Sequence, residues 1–132
     1  MLTQILYTSR STYPRGNLTD LEILRTAMRS NENDGITGAL LRDHRRFFQI
    51  LEGEQETVLS LVRRIQQDRR HFDMSILVQR SIQDRTFGEW SMGYGEIDVG
   101  TIGALESINL ARTDALDMIL ATVLPFVETP AL

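Results

Sequence analysis

The sequence predicts an α+β fold in which two helices lie on one face of a mixed β-sheet. Two observations carry this prediction. Stretches typical of strands are interspersed with stretches whose apolar residues recur every three or four positions, as in helices. The resulting order is β-α-β-β-α-β-β. After residue 98 only the helical pattern remains. The first six elements match the ferredoxin-like plan, and we expect the C-terminal helical pair to cover the other face of the sheet.

Composition favours one globular domain with a single core. The chain has 132 residues, of which 42% are hydrophobic and 24% are charged, and it contains no cysteine. Disulfides, thiolate metal sites and cysteine nucleophiles are therefore excluded for this sequence. We expect no secretory signal and no membrane span, and we expect a cytoplasmic protein. The net charge of -4 argues against general nucleic-acid binding.

The first strand and the first helix have clear boundary signals. Residues 2–8 predict a strand with Tyr7 on an apolar face. After a loop rich in turn residues, Thr19 is a good N-cap, and Glu22 three residues later completes a capping box. We expect this helix to end within residues 30–35, where turn and C-cap residues cluster.

The remaining elements follow from the same criteria. The sequence predicts a hairpin turn at Asp43-His44-Arg45 between two strands, then a helix, two further strands and two C-terminal helices. The strands are expected over residues 36–41, 47–53, 74–81 and 90–94, and the helices from about residue 54 to 68, over 105–110 and over 116–124.

Gln49 is an unusual residue within its predicted strand. Side chains alternate across a strand, so Gln49 shares one face with Phe47 and Leu51. An amide on an apolar face needs hydrogen-bond partners, because leaving it without them costs about 1–3 kcal/mol. The strand alone leaves open whether neighbouring backbone or a polar ligand supplies those partners.

The sequence lacks the familiar catalytic motifs. With no cysteine and only His44 and His71, it cannot build a histidine-rich metal site. No nucleophile-elbow, Walker-type or dinucleotide-binding glycine pattern occurs. The carboxylates have no spacing that indicates paired acid and base roles. Composition and pattern alone therefore favour a small binding module over an enzyme.

Five short pieces stand in a characteristic order along the chain. They are Tyr7-Thr8-Ser9, Asn31 followed by Gly35-Ile36-Thr37-Gly38, the stretch from Phe48 to Gly53, Asp68-Arg69-Arg70-His71, and Trp90-Ser91-Met92. Together they resemble the BLUF domain, a family of flavin-binding blue-light sensors. The resemblance covers residues 1–98, which we expect to form the flavin-binding domain. Residues 99–132 resemble the helical C-terminal extension of short family members.

The resemblance implies a non-covalent flavin whose ring lies between the first two helices. FAD is the usual choice, with FMN or riboflavin as alternatives. By position, Tyr7 would donate an electron and a proton, Gln49 would bridge Tyr7 and the flavin, and Trp90 and Met92 would lie on the strand that relays the change. Further cofactor contacts would come from Ser9, Asn31, Arg64, Asp68, Arg70 and His71.

The resemblance also implies a sensor that acts on other molecules. We expect the protein to signal to a downstream partner protein and to form a homo-oligomer. We expect no enzymatic activity of the domain and no binding to nucleic acids or membranes. Two positions depart from the family pattern. Ser30 lies where several members carry His or Asn, and Ala27 lies where some carry a serine, which bears on flavin affinity and choice.

Two rival functions are compatible with the same fold plan. One is a light-insensitive regulatory module that binds another ligand. The other is a small hydrolase of the acylphosphatase type, which would need an arginine-bearing phosphate loop after the first strand. Arg10 and Arg15 lie there, but without the glycine spacing that such a loop requires.

Overall fold

The computed structural model describes residues 1–12, 18–88 and 92–127, with the backbone alone at 18–21, 24, 99, 100, 102 and 106. The elements in chain order are β1 (Leu2–Ser11), α1 (Leu18–Asp34), β2 (Thr37–Arg42), β3 (Arg46–Glu54), α2 (Gln55–Gln66), β4 (His71–Ile82), β5 (Gly93–Glu96), α3 (Val99–Glu106) and α4 (Ala115–Val123), followed by a short 3₁₀ turn at Leu124–Phe126.

The described strands form one five-stranded sheet in the order β4-β1-β3-β2-β5. β5 runs parallel to β2, and the other neighbouring strands are antiparallel. The mixed α+β sheet predicted from the sequence is therefore confirmed. The register places Gln49 of β3 directly opposite Tyr7 of β1 on one side and Leu40 of β2 on the other.

Each face of the sheet is covered by helices. On one face, Ile5, Tyr7 and Leu51 pack with apolar residues of α1 and α2, including Ile23 and Val58. The other face packs against the C-terminal helices through a separate cluster, which contains Leu6, Leu41, Phe48, Ile50, Leu116, Ile119 and Val123. The predicted two-sided arrangement is confirmed, including the C-terminal cover.

Two glycines determine where α1 ends and how closely β2 approaches β3. Gly35 has φ +67°, and the amide of Ile36 donates to the carbonyl of Asn31 over 2.9 Å. This is a Schellman ending, and it lies in the segment where the sequence predicted the helix to stop. At Gly38, a Cβ atom would lie 2.0 Å from the carbonyl oxygen of Ile50. β2 can approach β3 this closely because residue 38 has no side chain.

Several predicted boundaries were wrong: β1 extends to Ser11 rather than residue 8, and β4 begins at His71 rather than residue 74. α1 begins at Leu18, so Thr19 lies inside the helix rather than at its N-cap.

The last strand was expected over residues 90–94; β5 spans Gly93–Glu96 and Met92 precedes it, while residues 90 and 91 lie outside the described residues. The helix expected over 105–110 is α3, which spans Val99–Glu106. The Asp98 carboxylate accepts the Thr101 amide at 2.8 Å and caps the N-terminus, so the helix begins well before residue 105.

Candidate functional site

A cleft of about 220 Å³ opens between α1 and α2 above the sheet. Its walls are apolar side chains from both helices, and its polar groups come from the strands, the end of α1 and the segment after α2. The lining residues are Tyr7, Ile23, Thr26, Ala27, Ser30, Asn31, Leu40, Phe47, Gln49, Leu61, Arg64, Ile65, Asp68, Arg70 and His71.

Tyr7 and Gln49 form a hydrogen-bonded pair at the floor of the cleft. Their strand register brings the side chains together, and the Tyr7 hydroxyl donates to Gln49 Oε1. The Gln49 amide nitrogen lies 3.5 Å from the sulfur of Met92, to which it donates. Both residues are buried, with 4% of Tyr7 and 6% of Gln49 exposed. Gln49 is therefore satisfied by side chains rather than by neighbouring backbone.

The protonation state of Tyr7 follows from its surroundings. Burial raises the pKa of the Tyr7 phenol above its ordinary value, and the negative charge of Asp68 raises it further. The phenol is consequently neutral at physiological pH and keeps its proton available for donation. Loss of that proton alone would leave a charge in a buried site, which is costly.

Asp68, Arg70 and His71 form one side of the cleft mouth. The Asp68 carboxylate accepts from the Arg70 backbone amide and from Arg70 Nε, both at 2.9 Å. The hydrogen bond from the Arg70 guanidinium lowers the pKa of Asp68, so the carboxylate is ionised at neutral pH. His71 Nε2 lies 2.5 Å from the carbonyl oxygen of Ile65, and its ring centroid lies 6.5 Å from that of Tyr7.

Asn31 and Arg64 lie on the α1 and α2 sides of the cleft, respectively. Asn31 is buried, with 2% of its surface exposed, and the Schellman ending of α1 holds its backbone in place. Arg64 is an exposed residue of the last turn of α2, and its guanidinium lies 3.6 Å from the carboxylate of Asp34. The cleft thus combines a rigid buried amide with a solvated cation.

Of the ten predicted site residues, seven line this cleft, two described residues do not, and one lies outside the described residues. Met92 contacts Gln49 from outside the lining, and Trp90 lies outside the described residues. Ser9 is buried beside the cleft without lining it, and its hydroxyl oxygen has no hydrogen-bond partner among the residues that the structure describes. Ser30 and Ala27, the two departures from the family pattern, do line the cleft.

The cleft fits a flavin by the chemistry of its lining. Ile23 and Ala27 of α1 face Leu61 and Ile65 of α2, and two apolar walls suit a flat aromatic ring. The ring edge of a flavin carries donors and acceptors, for which the amide of Asn31 and the other polar groups of the cleft are suited. The wall residues Leu61 and Ile65 were not predicted as site residues; with Val58 and Val62 they have the i, i+3, i+4, i+7 spacing of one apolar helix face, which does not distinguish a cleft wall from a core contact.

The part of the chain that the structure describes contains neither a metal-ligand cluster nor a membrane-spanning helix. Within residues 1–12, 18–88 and 92–127, no group of three or more potential ligands could hold a metal ion. In the same part of the chain, no helix is both long and apolar enough to cross a membrane.

Comparisons with known proteins agree on one family. The model of the family described as sensors of blue-light using FAD, BLUF, matches residues 2–93. Photoactivated adenylate cyclase subunit beta of Euglena gracilis is 39% identical over 92 residues, which are 69% of this chain and 11% of that protein. The corresponding alpha subunit of the same organism is 37% identical over 87 residues, covering 66% of this chain and 8% of that protein.

Solved structures give the same result over nearly the full length. The BlsA photo-activated state matches with a TM-score of 0.82 and 31% identity, covering 100% of both chains. BlrB, a BLUF protein in its dark state, matches with a TM-score of 0.77 and 27% identity over 92% of this chain and 94% of that one. The chain spans only about a tenth of the length of the cyclase subunits that it matches. Because the family match extends over residues 2–93, the chain belongs to the BLUF family of flavin-binding blue-light sensors.

Proposed function

We propose that Tyr7 and Gln49 are the photochemical switch of this blue-light sensor. The observation that carries the proposal is the buried hydrogen bond from the Tyr7 hydroxyl to Gln49 Oε1 at the floor of the cleft. Members of the family bind flavin, and we infer that FAD is the form used here, with FMN and riboflavin as alternatives. Residues 1–98 would form the sensor domain and residues 99–132 the extension that responds to it.

The cleft residues would hold the flavin without a covalent bond. Apolar side chains of α1 and α2 would sandwich the ring, while Asn31 and Gln49 would meet its polar edge. Further contacts to the flavin would come from four residues that line the cleft, Arg64, Asp68, Arg70 and His71. Ser9 offers a buried hydroxyl that has no hydrogen-bond partner among the described residues. When bound, the flavin supplies blue-light absorption and a strongly oxidising excited state.

Tyr7 would supply an electron and a proton after light absorption. Its raised pKa keeps the phenol protonated beforehand, so loss of the electron and loss of the proton are coupled. The hydroxyl points to Gln49 Oε1, which gives the departing proton an acceptor already in place. Return of the electron and the proton restores the neutral phenol, and the only lasting change would be in the hydrogen bonds of Gln49.

Gln49 is suited to store that change. A glutamine amide has an acceptor end and a donor end, so rotation or tautomerism reverses its hydrogen-bond pattern with little change in shape. In the structure the donor end contacts the Met92 sulfur at 3.5 Å. Methionine is flexible and polarisable, so Met92 can repack beside a reoriented amide. Gln49 and Met92 would then form a two-state element that light biases.

We propose that the signal leaves through the last strand. Met92 directly precedes β5, which pairs with β2 and lies against the 3₁₀ turn that follows α4. The C-terminal helices would pass the change to a downstream partner protein, and the contribution of Trp90 to this route stays a prediction. Assembly into a homo-oligomer and a cytoplasmic location stay predictions, as does the absence of enzymatic activity.

The absorption spectrum of the flavin-supplied protein before and after blue light tests the function. We expect a yellow protein whose flavin absorption shifts reversibly to the red. Tyr7→Phe should keep the flavin and lose the shift, whereas Tyr94→Phe, a tyrosine of β5 that does not line the cleft, should keep both. A colourless protein would favour the light-insensitive module, and a normal shift in Tyr7→Phe would refute the role of that residue.

A further inference from the structure

Gly95 brings the last strand into direct backbone contact with the C-terminal extension. This residue of β5 is buried, and a Cβ atom placed on it would lie 2.3 Å from the carbonyl oxygen of Phe126 in the 3₁₀ turn. That distance is about 1 Å short of ordinary van der Waals contact. Among the described glycines only Gly35 has a positive φ, so Gly95 is not needed for an unusual backbone conformation. The missing side chain of Gly95 serves the close approach of the turn.

The two faces of β5 contact different layers of the molecule. Met92, just before the strand, and Tyr94 pack on the cleft side, where the Met92 sulfur accepts from the Gln49 amide. Gly95 and Ile97 lie on the other side, against the turn and the C-terminal core cluster. β5 is a four-residue edge strand that pairs with β2 alone among the described strands, so few backbone hydrogen bonds oppose its displacement. A displacement that begins at Met92 is therefore carried to Gly95 within one strand.

The turn that Gly95 contacts exposes apolar side chains while its backbone is held inside. Leu124 and Phe126 are 40% and 38% exposed, respectively. The Val127 amide donates to the Leu124 carbonyl at 3.1 Å, and the Val127 side chain is buried in the C-terminal core cluster. A shift of the Phe126 carbonyl therefore disturbs this hydrogen bond and moves both exposed side chains.

We propose that Gly95 is a positioning residue through which the light-induced change passes from β5 to the 3₁₀ turn, and this inference rests on the photochemical function proposed above. The strand transmits its displacement through the contact between the Gly95 backbone and the Phe126 carbonyl. The alternative path leads from Ile97 through packed side chains to α4. The two paths differ in where the change is largest, because the backbone contact predicts it in the turn and the side-chain path predicts it in α4.

Gly95→Ala tests the contact without altering the cleft, because Gly95 does not line it. The added Cβ forces the turn away from the strand. We expect the red shift of the flavin to persist and the Val127 amide to exchange about two- to tenfold faster in the dark, the range for loss of one backbone hydrogen bond. The difference in hydrogen exchange between light and dark over residues 124–127 should fall to background.

Gly103→Ala is the matched control for this substitution. Gly103 lies in α3, and a Cβ atom on it meets nothing within 4 Å, so this variant should keep the full difference between light and dark. An unchanged difference in Gly95→Ala, or an equal loss in Gly103→Ala, would overturn the proposal. Loss of the red shift in Gly95→Ala would also overturn it, because a residue that transmits the change acts after the photochemistry.

A spin label gives a second measurement that leaves Gly95 in place. The chain has no cysteine, so Leu124→Cys and Ala121→Cys each introduce a single thiol, one in the turn and one on the exposed side of α4. We expect blue light to change the mobility of a nitroxide at residue 124 more than at residue 121. An equal or smaller change at residue 124 would contradict transmission through the turn.

The absorption spectrum separates this inference from the function on which it rests. If the unaltered protein shows no red shift under blue light, the sensing function fails and the inference fails with it. If the red shift is normal but the turn does not respond to light, the sensing function stands and only the role of Gly95 fails.

Discussion

The hydrogen bond between Tyr7 and Gln49 can be measured as a coupling free energy. Tyr7→Phe leaves Gln49 Oε1 buried without its donor, and Gln49→Leu leaves the Tyr7 hydroxyl buried without its acceptor. Either orphaned group should lower the free energy of unfolding by about 1–3 kcal/mol. The double variant orphans neither group, so its loss should fall short of the sum of the two single losses by about 2 kcal/mol or more, because both orphan costs vanish together.

Urea unfolding of the flavin-free protein in the dark measures this cycle. Flavin is left out because differences in its affinity would add to the apparent stabilities. Gln49→Leu also removes the contact with Met92, but that loss occurs in both the single and the double variant and cancels from the coupling. As a control, Tyr7→Phe combined with Thr122→Ala on α4, across the sheet, should be additive. Additivity within about 0.5 kcal/mol for the Tyr7–Gln49 pair would refute the assigned bond.

Four further outcomes are expected. Glu52→Gln should lower the free energy of unfolding by about 1.5–3 kcal/mol in urea melts, because this buried carboxyl group accepts four hydrogen bonds. Gly38→Ala should yield little folded protein by circular dichroism, whereas Gly103→Ala, which adds a Cβ in open space, should fold normally. Because the pKa of Tyr7 is raised in the folded state, its neutral phenol stabilises the fold fully below about pH 10, and this stabilisation is lost as the pH rises towards the folded-state pKa. The urea midpoint should therefore decrease less steeply at alkaline pH in Tyr7→Phe than in the unaltered protein. Blue light should change hydrogen exchange within residues 99–132, and identical protection in dark and light would contradict the proposed output route.

Local patterns were sufficient to predict the faces of the strands. Alternation in the stretch around Gln49 placed this residue with Phe47 and Leu51 on one face, and the structure confirms that face as the one covered by α1 and α2. Tyr7 was assigned to the apolar face of β1 for the same reason. The period of two depends only on neighbouring residues, which is why the prediction succeeded without any knowledge of the fold.

The partners of these side chains were not predictable from local pattern. Tyr7 and Gln49 are 42 residues apart in sequence, and only the register of β1 against β3 brings them opposite each other. Glu52 illustrates the same limit. A glutamate near a strand end is usually solvated, yet here it is fully buried and accepts bonds from the amides of Thr86 and Phe87. Hydrogen bonds between residues so far apart in sequence can be identified only from the folded structure.

Glu52 also bears on how the two faces of the sheet communicate. β3 presents Gln49 to the cleft, while Phe48 and Ile50 pack with the C-terminal helices. A change at Gln49 is therefore one peptide unit away from the opposite layer. Glu52 holds the amides of Thr86 and Phe87, which anchors the segment before the last strand at one end. We expect a change at the Gln49 amide to reach β5 through Met92, because Met92 contacts that amide and directly precedes the strand.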